Sequence, residues 1–500
     1  MQKEYSITYD FGTGSVKAAL INKDYEVLAW RSYPYPMYYP QLGFAVQKVD
    51  DLRRAFVDIT NSLFSETGIK GEQIRGIVIS QTSCTMIFVD KNLNCLSDIV
   101  AWCDNRGVRQ AENINREISK PMWTQGKRIP AKMRWFLDNE PETVNNAEHL
   151  LDVSAYFYLL LTGQTAFDWT AAVAYDFAKP SFEEWDPETM DIVGMPHHLL
   201  PKRIIASYEK VGEMIPGFAE EAGYVAGTPI FGGCSDNANG HLGAGCIRPG
   251  DAHLYMGSSG WISVSVTMPE NRNVRNVIQS SVPGIGYDYY CTNAVGTSID
   301  HFISEFYKKE SEDRDIEIYD LISKEALEVE NDPQDILYLS YLLGEEEPVM
   351  DPAVRGTILN IKTNTRRAHI ARALFEGIGF NYRWIKENLT EQNAWNINFL
   401  RAIGGGTQSD VHMQIIADIM DETLIRIKNT RVAGNVGLAA CIDIGLGEAN
   451  DFTVLDDYVK EDKVFIPRPE FKERYDRLFA IYKESYYALK GIYEKLNLEN

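Results

Sequence analysis

Asp10-Phe11-Gly12-Thr13-Gly14-Ser15-Val16-Lys17 is the stretch on which the reading of this chain turns. Residues 5–10 alternate apolar and polar side chains as a strand does. Val16, Ala18 and Leu20 alternate again, and Asn22-Lys23-Asp24 turns into a third segment, 26–33. A glycine-rich turn inside a three-stranded meander is therefore predicted. Its glycines let backbone amides approach an anion, Thr13 and Ser15 offer hydroxyls, and Lys17 adds a cation. Asp10 at the strand end can hold a hydrated Mg²⁺. An ordinary tight hairpin needs glycine for positive φ but has no use for the adjoining acid and hydroxyls.

Beyond the meander, Asp50 or Asp51 caps a helix carrying Leu52, Phe56, Ile59 and Leu63 on one face and ending at Gly68. Strand-like runs at 74–80 and 85–90 follow, which makes an α/β unit with a mixed sheet. The pattern then returns: 252–256 and 261–266 flank a second glycine and hydroxyl turn, Gly257-Ser258-Ser259-Gly260. Two related halves are expected, with the break at Arg248-Pro249-Gly250, hence domains 1–247 and 248–500. Two such hairpins facing each other would grip a polyphosphate from both sides. Further on, a helix starts at Asn364 or Thr365, and a strand over 397–403 runs into Gly404-Gly405-Gly406. Ser409 caps the next helix, and a long terminal helix follows Pro467 and Pro469.

The 500 residues hold 49 Lys and Arg against 71 Asp and Glu, a formal charge of −22. A single core stops growing at about 250–300 residues, so at least two domains are required. The acidity argues against a nucleic-acid partner, which needs clustered cations, and against an anionic membrane surface. The longest apolar run, 155–161, is far below the roughly 20 residues of a membrane-spanning helix, and no secretion signal opens the chain. The seven cysteines are scattered with no C-x-x-C pair, so a reducing cytoplasm is the expected location. The eight histidines form no H-E-x-x-H pair and no cluster with cysteine in sequence, which disfavours a histidine metal site.

Other glycine motifs can be weighed. Gly12-Thr13-Gly14 fails as a dinucleotide fingerprint because Lys17 occupies the third glycine position and a strand follows. Gly404-Gly405-Gly406 precedes a helix but has Ser409 at that position; a glycine turn opening a helix still suits a ribose, base or α-phosphate. No P-loop pattern exists. Gly232-Gly233-Cys234-Ser235-Asp236-Asn237 places an acid ahead of a helix, where a simple cap is the commoner role.

Taken together, the motifs resemble those of the FGGY carbohydrate kinases, xylulokinase-like in style, within the actin-like ATPase superfamily. The 10–17 stretch is similar to that family's first phosphate motif. Trp102-Cys103-Asp104-Asn105-Arg106 resembles its W-x-D-x-R, and 233–245 its block around the catalytic acid. Gly344-Glu345 with Pro348, Asp351-Pro352 and Arg355-Gly356 resembles a later block, as do 372–378 and Gly404-Gly405-Gly406 with Gln408-Ser409. The resemblance spans almost the whole chain. It implies two ribonuclease-H-like domains with a nucleotide and sugar cleft between them.

That resemblance implies ATP and Mg²⁺ as cofactors and a small sugar or polyol as substrate. It implies Asp236 as general base, Asp10 holding Mg²⁺ through water, and Gly12, Thr13, Ser15 and Lys17 at the phosphates with Gly257, Ser258 and Ser259. Gly405, Gly406 and Gln408 would meet adenosine; Gln81, Thr82, Ser83, Asp104, Arg106 and Asn237 would meet the sugar. The resemblance implies a ketopentose such as xylulose, with another sugar, an aldonate such as gluconate or a polyol as alternatives, because Gln81-Thr82-Ser83 departs from the Gln-Met-His of xylulokinases. Gln47 only weakly restores the pattern. A homodimer is among the assemblies left open. A nucleotide-driven binding or chaperone-like protein of the same superfamily is the rival class, but it leaves Asp236 without a role.

Overall fold

Two mixed sheets, each grown on one of the glycine hairpins, organise the chain. The computed structural model describes residues 3–117, 124–179, 183–268, 277–392 and 395–497. In the first sheet β1 (Tyr5–Phe11), β2 (Ser15–Ile21) and β3 (Val27–Pro34) form the antiparallel meander. With β4 (Ile74–Gln81), β5 (Lys210–Glu213) and β6 (Pro229–Phe231) the order is β5-β6-β4-β1-β2-β3. Strand β4 lies parallel to β1, β6 parallel to β4, and β5 closes the edge antiparallel.

The second sheet repeats the plan. Strands β7 (Asp251–Met256), β8 (Gly260–Thr267) and β10 (Ile285–Thr292) are antiparallel neighbours, and β9 (Ile278–Gln279) lies beyond β10. On the other side of β7, β11 (Phe399–Ile403) and β12 (Leu424–Ile427) run parallel and β13 (Glu461–Phe465) closes antiparallel. Central strands are buried on both faces: Ile7, Tyr9 and Leu20 on one side and Thr8, Ala19 and Ile21 on the other are wholly removed from solvent.

The expected helix ends mostly hold, with physical reasons where they differ. The first helix is Val49–Thr67; its N-cap is Lys48, without a side-chain cap, and Gly68 ends it at φ +70°. The helix expected at Asn364 or Thr365 begins at Arg367, because the Thr365 hydroxyl is engaged with Lys362 N and Gln334. Ser409 does cap Asp410–Met420, accepting from His412 N. The run at 85–90 becomes the short strand Ile87–Val89, paired with His149–Leu151 outside the six-stranded sheet.

Helices from the two halves meet between the sheets. Asp236–Gly243 and Ala433–Leu446 cross so closely that a Cβ on Gly243 would lie 2.4 Å from the Ala433 carbonyl carbon. Ile21, Val78 and Phe231 share an apolar cluster there with Leu242, Leu438 and Ile442. Arg75 of β4 pairs with Asp443 and, at 2.9 Å, with Glu448, locking the second helix to the first sheet. This junction fixes where Asp236 stands relative to both hairpins.

Candidate active site

Both hairpins are braced through their carbonyls, and the amides of Gly12 and Gly257 close the turns on Ser15 O and Ser259 O, each at 2.9 Å. In the first, Tyr35 Oη donates to Gly12 O at 2.6 Å and Gln47 Nε2 to Thr13 O at 2.7 Å. Trp102 Nε1 donates to Thr13 Oγ1 at 3.1 Å. In the second, the amides of Val295 and Thr297 donate to Ser258 O at 3.0 and 3.1 Å, and Gly296 N to Gly257 O at 2.9 Å. Gly12, Thr13, Ser15, Lys17, Ser258 and Ser259 all face one cavity of about 760 Å³. Gly257 is not on its wall; a Cβ there would meet the Tyr255 ring, so its role is close packing.

A smaller cavity of about 330 Å³ adjoins it, and Thr82, Ser83, Asp236 and Asn237 are on its wall. Asp236 is the one carboxylate common to both cavities among the described residues. It sits in the first turn of Asp236–Gly243 behind the N-cap Ser235, so the simple cap reading gives way. Asp236 Oδ1 accepts from Asn237 N at 3.0 Å and from Ser83 N and Oγ at 3.4 and 3.3 Å. The approach to it is tight: Gly233 has φ +66°, and a Cβ there would stand 2.1 Å from Ile79 O. Ser235 N is tied to Thr170 Oγ1 at 2.8 Å, and that hydroxyl donates to Asp168 Oδ1 at 2.5 Å. Burial, and then the charge of Asp10, push the Asp236 carboxyl up to about 6.

Asp10 lines the larger cavity from the end of β1. Burial raises its pKa, opposed by Lys17, its cross-strand neighbour. Its Oδ1 is buried beside the Ser80 and Asn239 side chains, which oppose the shift but leave Oδ1, Ser80 Oγ and Asn239 Oδ1 short of good hydrogen-bond geometry. Unsatisfied oxygens around a carboxylate are the donor set that a hydrated divalent cation satisfies.

Several residues expected at the ligands lie off the cavity walls. Gln81 is buried, donating to Asp152 Oδ2 at 2.9 Å and accepting from Thr85 at 2.8 Å, and lines neither cavity. Asp104 accepts from Ala45 N at 2.7 Å and holds Arg106 in a buried ion pair at 2.9 Å; Arg106 stacks on Phe44, 4.2 Å from its centroid. Their motif reaches the site through Trp102 instead, which lines both cavities. Gln47 braces the hairpin and does not line the smaller cavity. In the glycine turn, Gly404 forms the wall, Gly405 and Gly406 lie beside it, and Gln408 holds Thr430 of the wall at 2.7 Å.

The smaller cavity also contains residues with no local signal in the sequence: Lys127, Arg128, Asp176, Tyr289 and Glu346. Lys127 Nζ meets Glu346 Oε1 at 2.6 Å, joining the first half to the Gly344-Glu345 loop of the second. His241, Cys246 and His253 also come together within 4.8 Å, against the sequence expectation. Hydrogen bonds already engage this trio: Trp261 Nε1 donates to His253 Nε2 at 2.9 Å, placing that ring's proton on Nδ1, and Ser263 and Ser265 meet His241.

Models of the FGGY carbohydrate kinase N-terminal and C-terminal domains match residues 5–243 and 268–442. The chain belongs to the FGGY family of carbohydrate kinases. It is 26% identical to a xylulose kinase of Bacillus subtilis, over 98% of each chain. It is 25% identical to a gluconokinase of Bacillus licheniformis, over 98% of this chain and 97% of that one. Solved structures of a xylulose kinase and a gluconate kinase from Lactobacillus acidophilus both superpose with a TM-score of 0.85 over 99% of this kinase and 100% of theirs, at 24% and 23% identity. The fold is thus the actin-like ATPase fold, and the enzyme is an ATP-dependent carbohydrate kinase.

Proposed function

We propose that this kinase transfers the γ-phosphoryl group of ATP to a hydroxyl of a ketopentose such as xylulose, with Asp236 as general base. The observation that supports it is the position of Asp236 at the junction of a phosphate-sized and a sugar-sized cavity. Phosphoryl transfer asks for alignment and charge stabilisation more than for covalent chemistry. The two hairpins offer amides, Thr13 and Ser258 hydroxyls and Lys17 to the phosphates. The sugar hydroxyl in the smaller cavity gives its proton to Asp236 as its oxygen attacks. All hydrogen bonds recorded to Asp236 fall on Oδ1, which leaves Oδ2 for that proton. Mg²⁺, held by Asp10 through water, would neutralise phosphate charge. Seven unpaired cysteines suit a reducing cytoplasm.

An aldonate is the second reading, favoured by the 25% identity to a gluconokinase. Measurement of ADP release over pentuloses, hexuloses, aldonates and polyols tests both. Strongest stimulation by a ketopentose is expected, and no stimulation by any of them would defeat the proposal. Alanine at Thr13 or Ser258 should raise KM for ATP about tenfold, the loss of one hydrogen bond to a charged group, without lowering Tm. Unchanged ATP kinetics in both variants would remove the two-hairpin clamp.

A further inference from the structure

The sugar-cavity wall carries two cations, and each is already matched by an acid. Arg128, the N-cap residue of the helix Ile129–Asn139, turns its fork on Asp176: Nε donates to Oδ2 at 2.7 Å and Nη2 to Oδ1. Lys127 is held by Glu346 at 2.6 Å. With Asp236 the wall therefore holds three carboxylates against two cations.

A carboxylate-bearing substrate is recognised by a free cation, best of all by a guanidinium offering both arms of its fork. Here Asp176 takes the Nε–Nη2 edge, and Nη1 donates to Cys84 Sγ at 3.5 Å. An aldonate would have to displace Asp176 from Arg128 and would leave that acid unpaired on the same wall as Asp236, which is costly in a partly enclosed cavity. A neutral polyhydroxyl compound meets no such penalty. The paired groups still present lone pairs and N–H donors to its hydroxyls.

The backbone at Asp176 supports a selected position. It has φ +60°, a left-handed conformation uncommon for a residue other than glycine, just after the short helix Trp169–Ala174. The turn is closed by Asp176 N donating to Val173 O at 3.1 Å, and it aims the carboxylate at Arg128. Nothing in the helix-ending geometry requires a charge there, since Asn adopts this conformation as readily.

We infer that Asp176 is a specificity-determining residue, a charge filter that occupies the Arg128 fork and so selects neutral ketoses and polyols over aldonates. The inference rests on the smaller cavity being the sugar site. The test is the ratio of kcat/KM for D-xylulose to that for D-gluconate in the full-length wild type, Asp176→Asn and Arg128→Gln/Asp176→Asn. The wild type should favour xylulose. Asp176→Asn should move the ratio toward gluconate by about tenfold or more, and the double variant should lose that gain. Asp176→Gly, which suits the left-handed backbone and also frees the Arg128 fork, makes the same test if Asp176→Asn does not fold. A wild type that prefers gluconate, or ratios unchanged in both single variants, overturns the filter while leaving the kinase reading intact. Turnover of no sugar in the wild type overturns the sugar-site reading and the filter with it.

Discussion

Asp236→Asn should lower kcat by about 10²–10⁴-fold, the usual contribution of a positioned general base, with KM for ATP nearly unchanged. Asn keeps the oxygen that accepts from Ser83 and Asn237 N, so the loop should hold its shape. The same residue sets the acid limb of the pH profile. Its carboxyl is raised to about 6, so it is protonated and unable to take a proton below that pH and is ionised above it. The kcat/KM of the wild type should therefore fall as pH drops through about 6, and the limb should be absent from the residual activity of Asp236→Asn. Stability should move the other way. A folded-state pKa above the unfolded value means the native protein binds the proton more tightly, so the ionised form destabilises it at neutral pH. Removing that charge should raise Tm at pH 7. A variant retaining kcat within a few-fold of the wild type would refute the general-base role.

The parts of this site that the sequence makes legible are those with a local signal. Gly12-Thr13-Gly14 and Gly257-Ser258-Ser259-Gly260 are turns between alternating strands, and both hairpins form with the strands expected on either side. Asp236 stands out because small residues precede it, and Gly233 shows why: no side chain fits against Ile79 O. The sugar wall is different. Arg128, Asp176 and Glu346 come from three separated segments with no shared period, and only the packing of two halves brings Lys127 to Glu346. Buried polar networks also imitate sites. Gln81, Asp104 and Arg106 are polar residues in motif-like settings, yet Gln81 is satisfied by Asp152 and Thr85, and Asp104 by Arg106 and Ala45 N. Sequence shows that a polar group must be satisfied, not by what.

Asp10→Asn should raise the Mg²⁺ concentration needed for half-maximal velocity more than tenfold, with KM for the sugar unchanged. Asp10 lines the phosphate cavity but not the sugar cavity, so its loss should separate these two constants. Burial raises its pKa despite the opposing effects of Lys17, Asn239 and Ser80, which describes a carboxylate still short of positive charge. A divalent ion bound through water would supply the rest. Excess chelator should therefore abolish wild-type turnover, and added Mg²⁺ should restore it. Tm should rise with Mg·ADP in the wild type and much less in Asp10→Asn, because only a ligand held by the native state stabilises it. Turnover undiminished in chelator would remove the metal from the account. One further consequence ties the two acids together. After burial, the charge of Asp10 is the next largest cause of the raised Asp236 pKa, so neutralising it should shift the acid limb of the residual activity to lower pH. An unmoved limb would mean that the two carboxylates do not sense each other across the junction of the cavities.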